Sequence, residues 1–336
     1  MEFEQTLGIQ HPIIQAPMAG VTTPEFVAAC TEAGILGSIG AGYLSAIDTR
    51  AAIQRVKMFT PSPFSVNLFV SDNTPYNEEQ LRLAYVALQP IGAQLGMPSW
   101  KAPMYEPDFH GQIEVVIEEK PTACSFTFGV PNAGYIERLH NAGILLIGTA
   151  TTVDEAIAVQ KSGLDMVVIQ GAEAGGHRGS FHPVGPLILL DDLLAGVRDV
   201  VHIPIIAAGG IATSERMNEL INNGADAVQI GTALLATEES GASEAYKQTV
   251  LNATSDNTVI TDVFSGRPAR GINNRFITQM SESPIAPYPY QNDLTKHIRK
   301  EAAIQNNAEF VSLWAGTAVQ HTQSGTVKRI VSNFLD

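Results

Sequence analysis

Positively charged residues are scarce in this sequence of 336 residues. Lysine and arginine together number 20 against 34 aspartates and glutamates, which gives a formal net charge of −14. Binding to nucleic acid or to an anionic membrane surface needs lysines and arginines gathered on one face. The chain offers one short basic group, at residues 297–300. The composition therefore argues against nucleic acid and membrane partners.

Cysteine and long apolar runs are also nearly absent. The two cysteines, Cys30 and Cys124, cannot build a disulfide framework or a four-ligand zinc site, and no histidines and acids have the spacing of metal ligands. No apolar run approaches the ~20 residues of a membrane helix. The N-terminus lacks the basic and apolar regions of a signal peptide. We therefore expect a cytoplasmic protein without a metal ion.

A helix that ends at a glycine and is followed by a buried strand recurs through the first 235 residues. Eight strand candidates alternate with helices, which predicts parallel βα units and a TIM (β/α)8 barrel. A doubly wound open sheet is the alternative. The strand candidates lie near residues 13–17, 35–39, 64–69, 123–127, 144–147, 165–169, 203–207 and 225–230. Small or polar residues at equivalent strand ends favour the barrel: Gln15, Asn67, Gln170, Gly209 and Gln229.

The character of the chain changes after Leu235. A polar run, a helix to about residue 253 and a proline-rich stretch at residues 284–290 follow. A long segment that emerges after the last strand is expected to cover the barrel mouth. We predict that residues 1–235 and 300–336 form the barrel and that 236–299 form a smaller, mainly helical lid. Residues 300–320 are expected to return to the barrel wall as a helix.

The stretch from Met166 to Phe181 holds the strongest functional signal. A β-branched strand is followed within a few positions by an acid, three glycines, a histidine and an arginine. Chemistry in α/β proteins is placed at the carboxyl ends of such strands, and histidine has an ordinary pKa near neutrality. His177 could be a loop histidine satisfied by backbone, but its glycine surroundings favour catalysis. We expect Arg178 to be structural and to pair with Glu173 or a lid carboxylate.

A phosphate site is predicted opposite the histidine. Gly209 and Gly210 follow the seventh strand, and Gly231 and Thr232 follow the eighth. Barrels often bind a ligand phosphate between these two loops, through backbone N–H groups. Either glycine pair alone could be a tight turn, but both at this spacing form a more specific pattern. N–H dipoles attract phosphate even in an acidic chain.

Three further side chains have two interpretations each. Asn67 and Gln170 could cap neighbouring backbone groups or bind the edge of a heteroaromatic ring, since a buried amide needs hydrogen-bond partners. Both interpretations stay open. Met18 could be simple packing or could lie against a planar ligand.

Six stretches together resemble the class I nitronate monooxygenases, formerly called 2-nitropropane dioxygenases, over nearly the whole chain. The element at residues 173–179, Glu-Ala-Gly-Gly-His-Arg-Gly, is typical of this flavin superfamily, and Gly-Arg-Pro-Ala-Arg-Gly at residues 266–271 narrows it to the monooxygenases. The six stretches are residues 15–20, 125–131, 170–179, 206–211, 229–232 and 265–271.

The resemblance implies noncovalent FMN and no metal. It also implies oxidation of alkyl nitronates such as propionate 3-nitronate by O2, to a carbonyl compound and nitrite, a detoxification. His177 matches the catalytic histidine. Together with Met18 and Gly209 from above, the candidate cofactor residues are Met18, Asn67, Gln170, Gly175, Gly209, Gly210, Gln229, Ile230, Gly231 and Thr232.

The substrate side departs from the family pattern at two positions. Tyr288 and Lys296 match lid positions that line the substrate pocket in some members. Thr127 stands where several members carry a second active-site histidine, and Asn292 stands where some carry a tyrosine. We therefore expect Thr127, Tyr288 and Lys296 to contact substrate, with an altered substrate preference.

Two competing functions remain at this stage. An NAD(P)H-dependent quinone or enoyl-thioester reductase of the same superfamily would share the histidine loop. A noncatalytic flavin-binding protein is the alternative from another class. A phosphosugar isomerase is less favoured, because no strand end offers an obvious catalytic glutamate or lysine. We expect a small nitronate and O2 as partners, with a homodimer as the hypothesis for assembly.

Overall fold

The computed structural model describes residues 3–70, 77–97, 99–100 and 108–335. Eight parallel strands follow one another around a barrel in the order β1-β9-β8-β6-β5-β4-β3-β2, and a parallel bridge between Ile14 and Leu36 closes it. The predicted TIM barrel is confirmed. The strands of the described residues are β1 (Ile13–Gln15), β2 (Gly37–Gly40), β3 (Phe64–Phe69), β4 (Ala123–Thr127), β5 (Leu145–Ala150), β6 (Met166–Gln170), β7 (Gly176–His177), β8 (Ile205–Ala208), β9 (Ala227–Ile230), β10 (Thr258–Thr261) and β11 (Ala269–Ile272).

Helices on the outside of the barrel alternate with its strands. At the start of the second helix, Thr23 accepts a hydrogen bond from the N–H of Phe26, and Pro24 occupies the first helical position. The helices are α1 (Phe3–Leu7), α2 (Pro24–Glu32), α3 (Ala46–Phe59), α4 (Glu78–Gln94), α5 (Phe109–Glu119), α6 (Ala133–Asn141), α7 (Val153–Lys161), α8 (Leu190–Val197), α9 (Ser214–Asn222), α10 (Glu244–Asn252), α11 (Arg275–Met280), α12 (Tyr290–Ile304) and α13 (Val327–Ser332). None of these helices is long and apolar enough to cross a membrane.

Alternate residues of each barrel strand face two different cores. In β6, Val167 and Ile169 belong to the cluster between strands and helices, while Met166 and Val168 belong to the cluster inside the barrel. This follows from the two-residue period of a strand. The inner cluster also contains Phe3 of α1. Side chains therefore fill the barrel from the end at which its strands begin. The space for a ligand lies at the other end, where the strands finish.

The residues after β9 build a second hydrophobic core above the barrel. It contains Phe264, Phe276 and Leu313, and it also includes Leu88 of α4. The predicted lid boundaries at 235 and 300 stay a prediction. Within this region, β10 and β11 pair antiparallel, and β11 pairs in turn with β7. Ala269 of β11 lies opposite His177 in that register. The histidine is therefore held by the lid sheet.

The predicted helix over residues 300–320 is wrong. Helix α12 ends at Ile304, and residues 308–310 and 319–321 form only short 3-10 turns. Asn306 has a left-handed backbone with φ of 52°, which ends the helix. Farther on, the carbonyl of Leu313 accepts a hydrogen bond from the N–H of Ile272. The segment thus crosses the barrel mouth in an extended form, because β11 offers backbone partners there.

Candidate active site

A cavity of about 460 Å³ lies at the carboxyl ends of the barrel strands. This is within the ~300–1,000 Å³ of small-molecule and cofactor sites. Two predicted residues do not line it: the Ile230 side chain is packed in the core between the strands and the helices, and the Tyr288 ring lies 6.4 Å from that of His177. The residues singled out from the sequence that line it are Met18, Asn67, Thr127, Gln170, Gly175, His177, Gly209, Gly210, Gln229, Gly231, Thr232, Asn292 and Lys296.

His177 is half-buried and projects into a group of aromatic rings. Its Nε2 lies 2.8 Å from the hydroxyl of Ser265 in the lid. The surrounding rings have their centroids 5.5 to 6.5 Å from that of the imidazole. They belong to Trp314, Phe128, Tyr288 and Tyr43. The histidine therefore has one polar partner on the lid side and apolar walls around it.

The histidine is neutral at ordinary pH. Burial, together with the nearby guanidinium groups of Arg267 and Arg299, lowers its pKa from 6.5 to about 3. Both effects disfavour the charged imidazolium. At neutral pH His177 can thus donate or accept a hydrogen bond, but it carries no charge.

This shift predicts how acid affects folding. The pKa of His177 is lower in the folded state than in the unfolded state. The unfolded chain therefore binds a proton below about pH 6.5, whereas the folded chain binds it only below about pH 3. Stability is therefore lost as the pH falls through this window. The full shift corresponds to about 2 kcal/mol at pH 5, and since His177 is only half-buried we expect about 1 kcal/mol. Urea unfolding of the apoprotein at about pH 7.5 and pH 5 checks this against His177→Asn. An equal loss in both proteins contradicts the prediction.

The prediction for Arg178 was wrong in its partner. Its guanidinium donates to the backbone carbonyls of Gly171, at 2.5 Å, and Gln170, at 3.2 Å, and it forms no ion pair with Glu173 or a lid carboxylate within the described part of the chain. Glu173 instead accepts from the N–H of Leu190 at 3.0 and 3.1 Å and so caps α8. The N-cap residue of that helix provides no side-chain bond of its own. Both motif residues therefore stabilise the loop that carries the histidine.

Buried arginines also join the lid to this loop. Arg267 donates to the carbonyls of Ser180 and Phe181, and its guanidinium lies 4.0 Å from the ring centroid of Phe128. Arg270 donates to the carbonyl of Ala172 at 2.9 Å. These contacts join the segment after β9 to the histidine loop. The charged side chains that line the cavity among the described residues are Lys296 and Arg299, and these cations favour an anionic ligand.

The strand-end amides are engaged with the protein. Gln170 donates from Nε2 to the carbonyl of His177 at 3.0 Å and accepts through Oε1 from the N–H of Gly179 at 2.8 Å. Asn67 donates to the hydroxyls of Ser125 and Thr127 at 2.9 and 3.1 Å. Gln170 and Asn67 thus form hydrogen bonds with neighbouring groups of the protein, as the capping interpretation expects. Both residues still line the cavity, so a ligand contact stays a prediction.

The glycine loops form a cradle at the opposite side of the cavity. Gly209 and Gly210 have φ of 119° and 67°, a region that favours glycine. The N–H of Gly210 donates to no residue that the structure describes. The hydroxyl of Thr232 accepts from the N–H of Gly316 at 3.0 Å, which brings the 314–318 segment beside the two loops. A Cβ on Gly175 would lie 2.5 Å from the Ala315 carbonyl carbon. These loops fit a phosphate-bearing cofactor such as FMN.

Sequence reasoning missed the cation on the lid wall. Arg299 lines the cavity and donates through Nη2 to Oδ1 and the carbonyl of Asn292, at 2.7 and 3.0 Å. Its Nε is buried and has no partner among residues 3–70, 77–97, 99–100 and 108–335. Lys296, one turn earlier on α12, is half-exposed and lies 3.6 Å from Asp293. The three-residue spacing of Lys296 and Arg299 was the available signal.

Ser265 and Trp314 were also missed as neighbours of His177. Ser265 stands directly before the motif that narrowed the resemblance, within the stretch 265–271, but nothing in the sequence indicated that its partner is His177. Trp314 is a single aromatic residue in an irregular segment and left no local signal.

Known proteins are similar to this chain over nearly its whole length. The family model for nitronate monooxygenase matches residues 2–336. A probable nitronate monooxygenase of Staphylococcus haemolyticus is 44% identical over 342 residues, which cover 100% of this chain and 96% of that protein. A solved nitroalkane oxidase from Streptomyces ansochromogenes is 36% identical with a TM-score of 0.92, covering 97% of this chain and 95% of its own. FabK from Thermotoga maritima is 29% identical with a TM-score of 0.77, covering 99% and 94%. The chain belongs to the nitronate monooxygenase family.

Proposed function

We propose that this protein is an FMN-dependent nitronate monooxygenase. It oxidises alkyl nitronates, propionate 3-nitronate among them, with O2 to a carbonyl compound and nitrite. The observation that carries the proposal is the shared cavity: a neutral histidine walled by aromatic rings faces a glycine cradle with an unused N–H group. Family membership supports nitronate oxidation in general.

The residues that would hold FMN lie on two sides of the cavity. The N–H groups around Gly210, Gly231 and Thr232 would bind its phosphate. Asn67, Gln170 and Gln229 at the end of β9 would lie along the ring system, with Met18 and Gly175 beside it. When bound, FMN supplies the electron transfer that protein side chains do not provide.

The chain itself binds and orients the substrate. The cations Arg267, Arg299 and Lys296 attract an anionic nitronate to the lid side of the cavity. The rings around His177 exclude water, and when the substrate is a neutral nitroalkane the imidazole can accept its α-proton. Thr127 contributes through Asn67, to which it is hydrogen-bonded. Tyr288 shapes the wall beside the histidine.

Arg299 should bind the carboxylate of propionate 3-nitronate by a hydrogen bond. A hydrogen bond to a charged group contributes about 1.5–3 kcal/mol, so Arg299→Gln should raise KM for this substrate by roughly 10-fold or more. KM for ethyl nitronate, which has no carboxylate, should change much less. Lys296→Gln is the matched control on the same helix, and since Lys296 is half-exposed its effect should be within about fivefold. Equal KM increases for both substrates in Arg299→Gln contradict this role.

The visible spectrum and a nitrite assay test the function. The purified protein should be yellow and should release nitrite from propionate 3-nitronate in air. Adding NADPH without oxygen should leave the flavin oxidised over minutes, whereas rapid bleaching favours the flavin reductase. A colourless protein that refuses added FMN contradicts the cofactor. A yellow protein that releases no nitrite from any nitronate contradicts the reaction.

A further inference from the structure

The hydroxyl of Ser265 is the one described polar partner of the His177 ring. Ser265 is buried, with 1% of its surface exposed. Its Oγ lies 2.8 Å from Nε2 of His177. The same oxygen lies 3.1 Å from the carbonyl oxygen of Arg267 and 3.3 Å from the N–H of that residue. Three groups therefore share one hydroxyl.

The backbone fixes Ser265 in this place. Its N–H and that of Gly266 both donate to the carbonyl of Asp262, at 3.1 and 2.7 Å. Gly266 has φ of 81°, and a Cβ on it would lie 2.5 Å from the carbonyl oxygen of Ala286. The tight turn therefore fixes the backbone from which the hydroxyl reaches the imidazole.

The hydrogen-bonding capacity of a hydroxyl decides which ring nitrogen carries the proton. A serine hydroxyl has one proton to donate and two lone pairs that accept. The N–H of Arg267 fills one lone pair, and the carbonyl of Arg267, which can only accept, takes the proton. The remaining lone pair faces Nε2 of His177. All three contacts are satisfied only when Nε2 donates, so Nδ1 is left without a proton.

We infer that Ser265 is a positioning residue that holds His177 as the Nε2–H tautomer, with the lone pair of Nδ1 available to the cavity. The ring cannot turn over without losing its bond to Ser265, because a carbon would then replace Nε2. Among the described residues, none bonds Nδ1, while His177 itself lines the cavity. The catalytic meaning of this tautomer rests on the proposed function.

The assignment sets what His177 can do for a substrate. A bare Nδ1 can accept a proton from the α-carbon of a neutral nitroalkane: the C–H bond breaks, an N–H bond forms, and the electron pair stays on the substrate as the nitronate. The imidazolium then donates more strongly through Nε2 to Ser265. A preformed nitronate has no such proton to lose. Loss of Ser265 should therefore affect neutral nitroalkanes more than nitronates.

Nuclear magnetic resonance of the 15N-histidine-labelled holoenzyme tests the tautomer directly. His177→Asn identifies the signal among the eight histidines. Between about pH 6 and pH 8 the wild type should show a protonated Nε2 and an unprotonated Nδ1, and Ser265→Ala should give a mixture of both tautomers. A wild-type Nδ1–H tautomer overturns the inference, and it does so even when Ser265→Ala fails to fold. An unchanged tautomer in a folded Ser265→Ala also overturns it.

Turnover supplies the second readout and needs no correction for flavin content. Both rates are measured on the same preparation, with nitroethane and with ethyl nitronate. In Ser265→Ala the rate ratio of nitroethane to ethyl nitronate should fall by about tenfold, whereas equal loss of both rates assigns Ser265 a structural role only and overturns its effect on catalysis. Absence of all nitronate turnover in the wild type contradicts the proposed function and leaves the tautomer result standing.

Discussion

His177→Asn should lower turnover of neutral nitroalkanes by about 10²- to 10⁴-fold, the usual contribution of a positioned side chain that transfers a proton. The imidazole is the titratable group at the centre of the aromatic wall, and asparagine cannot reach from its shorter stem to both Ser265 and the cavity. Flavin content should stay near that of the wild type, because the glycine cradle is built by other loops.

The measurement is the rate of nitrite release per bound flavin at saturating nitroethane. His182→Asn is the matched control, since it makes the same replacement five residues farther along the loop at an exposed position. The control should keep its full rate. Full activity in His177→Asn with a normal flavin spectrum removes the histidine from the reaction.

Gly210→Asp should abolish retention of FMN during purification. The variant would place a carboxylate at the N–H group proposed to bind the phosphate. Two unit charges about 4 Å apart repel by about 4 kcal/mol at the effective dielectric of a protein surface. Allowing for relaxation and screening, we expect the Kd of FMN to rise by roughly 10²-fold.

Gly210→Asn separates charge from backbone strain. The φ of 67° at this position is one that asparagine and aspartate tolerate about equally, and both side chains begin from the same Cβ, 3.2 Å from that of Glu173. Titration of each apoprotein with FMN, followed by flavin fluorescence, gives the two Kd values. Equal weakening in both variants points to steric effects and places the phosphate elsewhere.

The barrel was predictable because its signals are local. Glycines 143, 163 and 224 have the positive φ of helix ends, at 80°, 90° and 109°, as expected for a glycine that closes a helix before a buried strand. Each such unit is encoded within about 30 residues. The carboxyl ends of parallel strands must meet at one end of a barrel, so the strand-end residues could be assigned to one cavity from the sequence.

The contacts that the sequence did not reveal join residues far apart in the chain. His177 and Ser265 are 88 residues apart, and Arg178 bonds to carbonyls that carry no side-chain signal. Helix α4 packs against α12 across about 200 residues of chain to complete the second core. Over residues 300–320, backbone pairing with β11 outweighs the helix propensity of the sequence. Tertiary contacts outweigh local preference at each of these places.

The pairing of β7 with β11 couples the position of the histidine to the structure of the segment after β9. His177 lies opposite Ala269, the first residue of β11, so the position of its imidazole depends on the same segment that is proposed to line the substrate site. Replacing this segment with that of another protein would therefore also change how the histidine is aligned. A change in the residues after β9 therefore also changes where the imidazole of His177 lies.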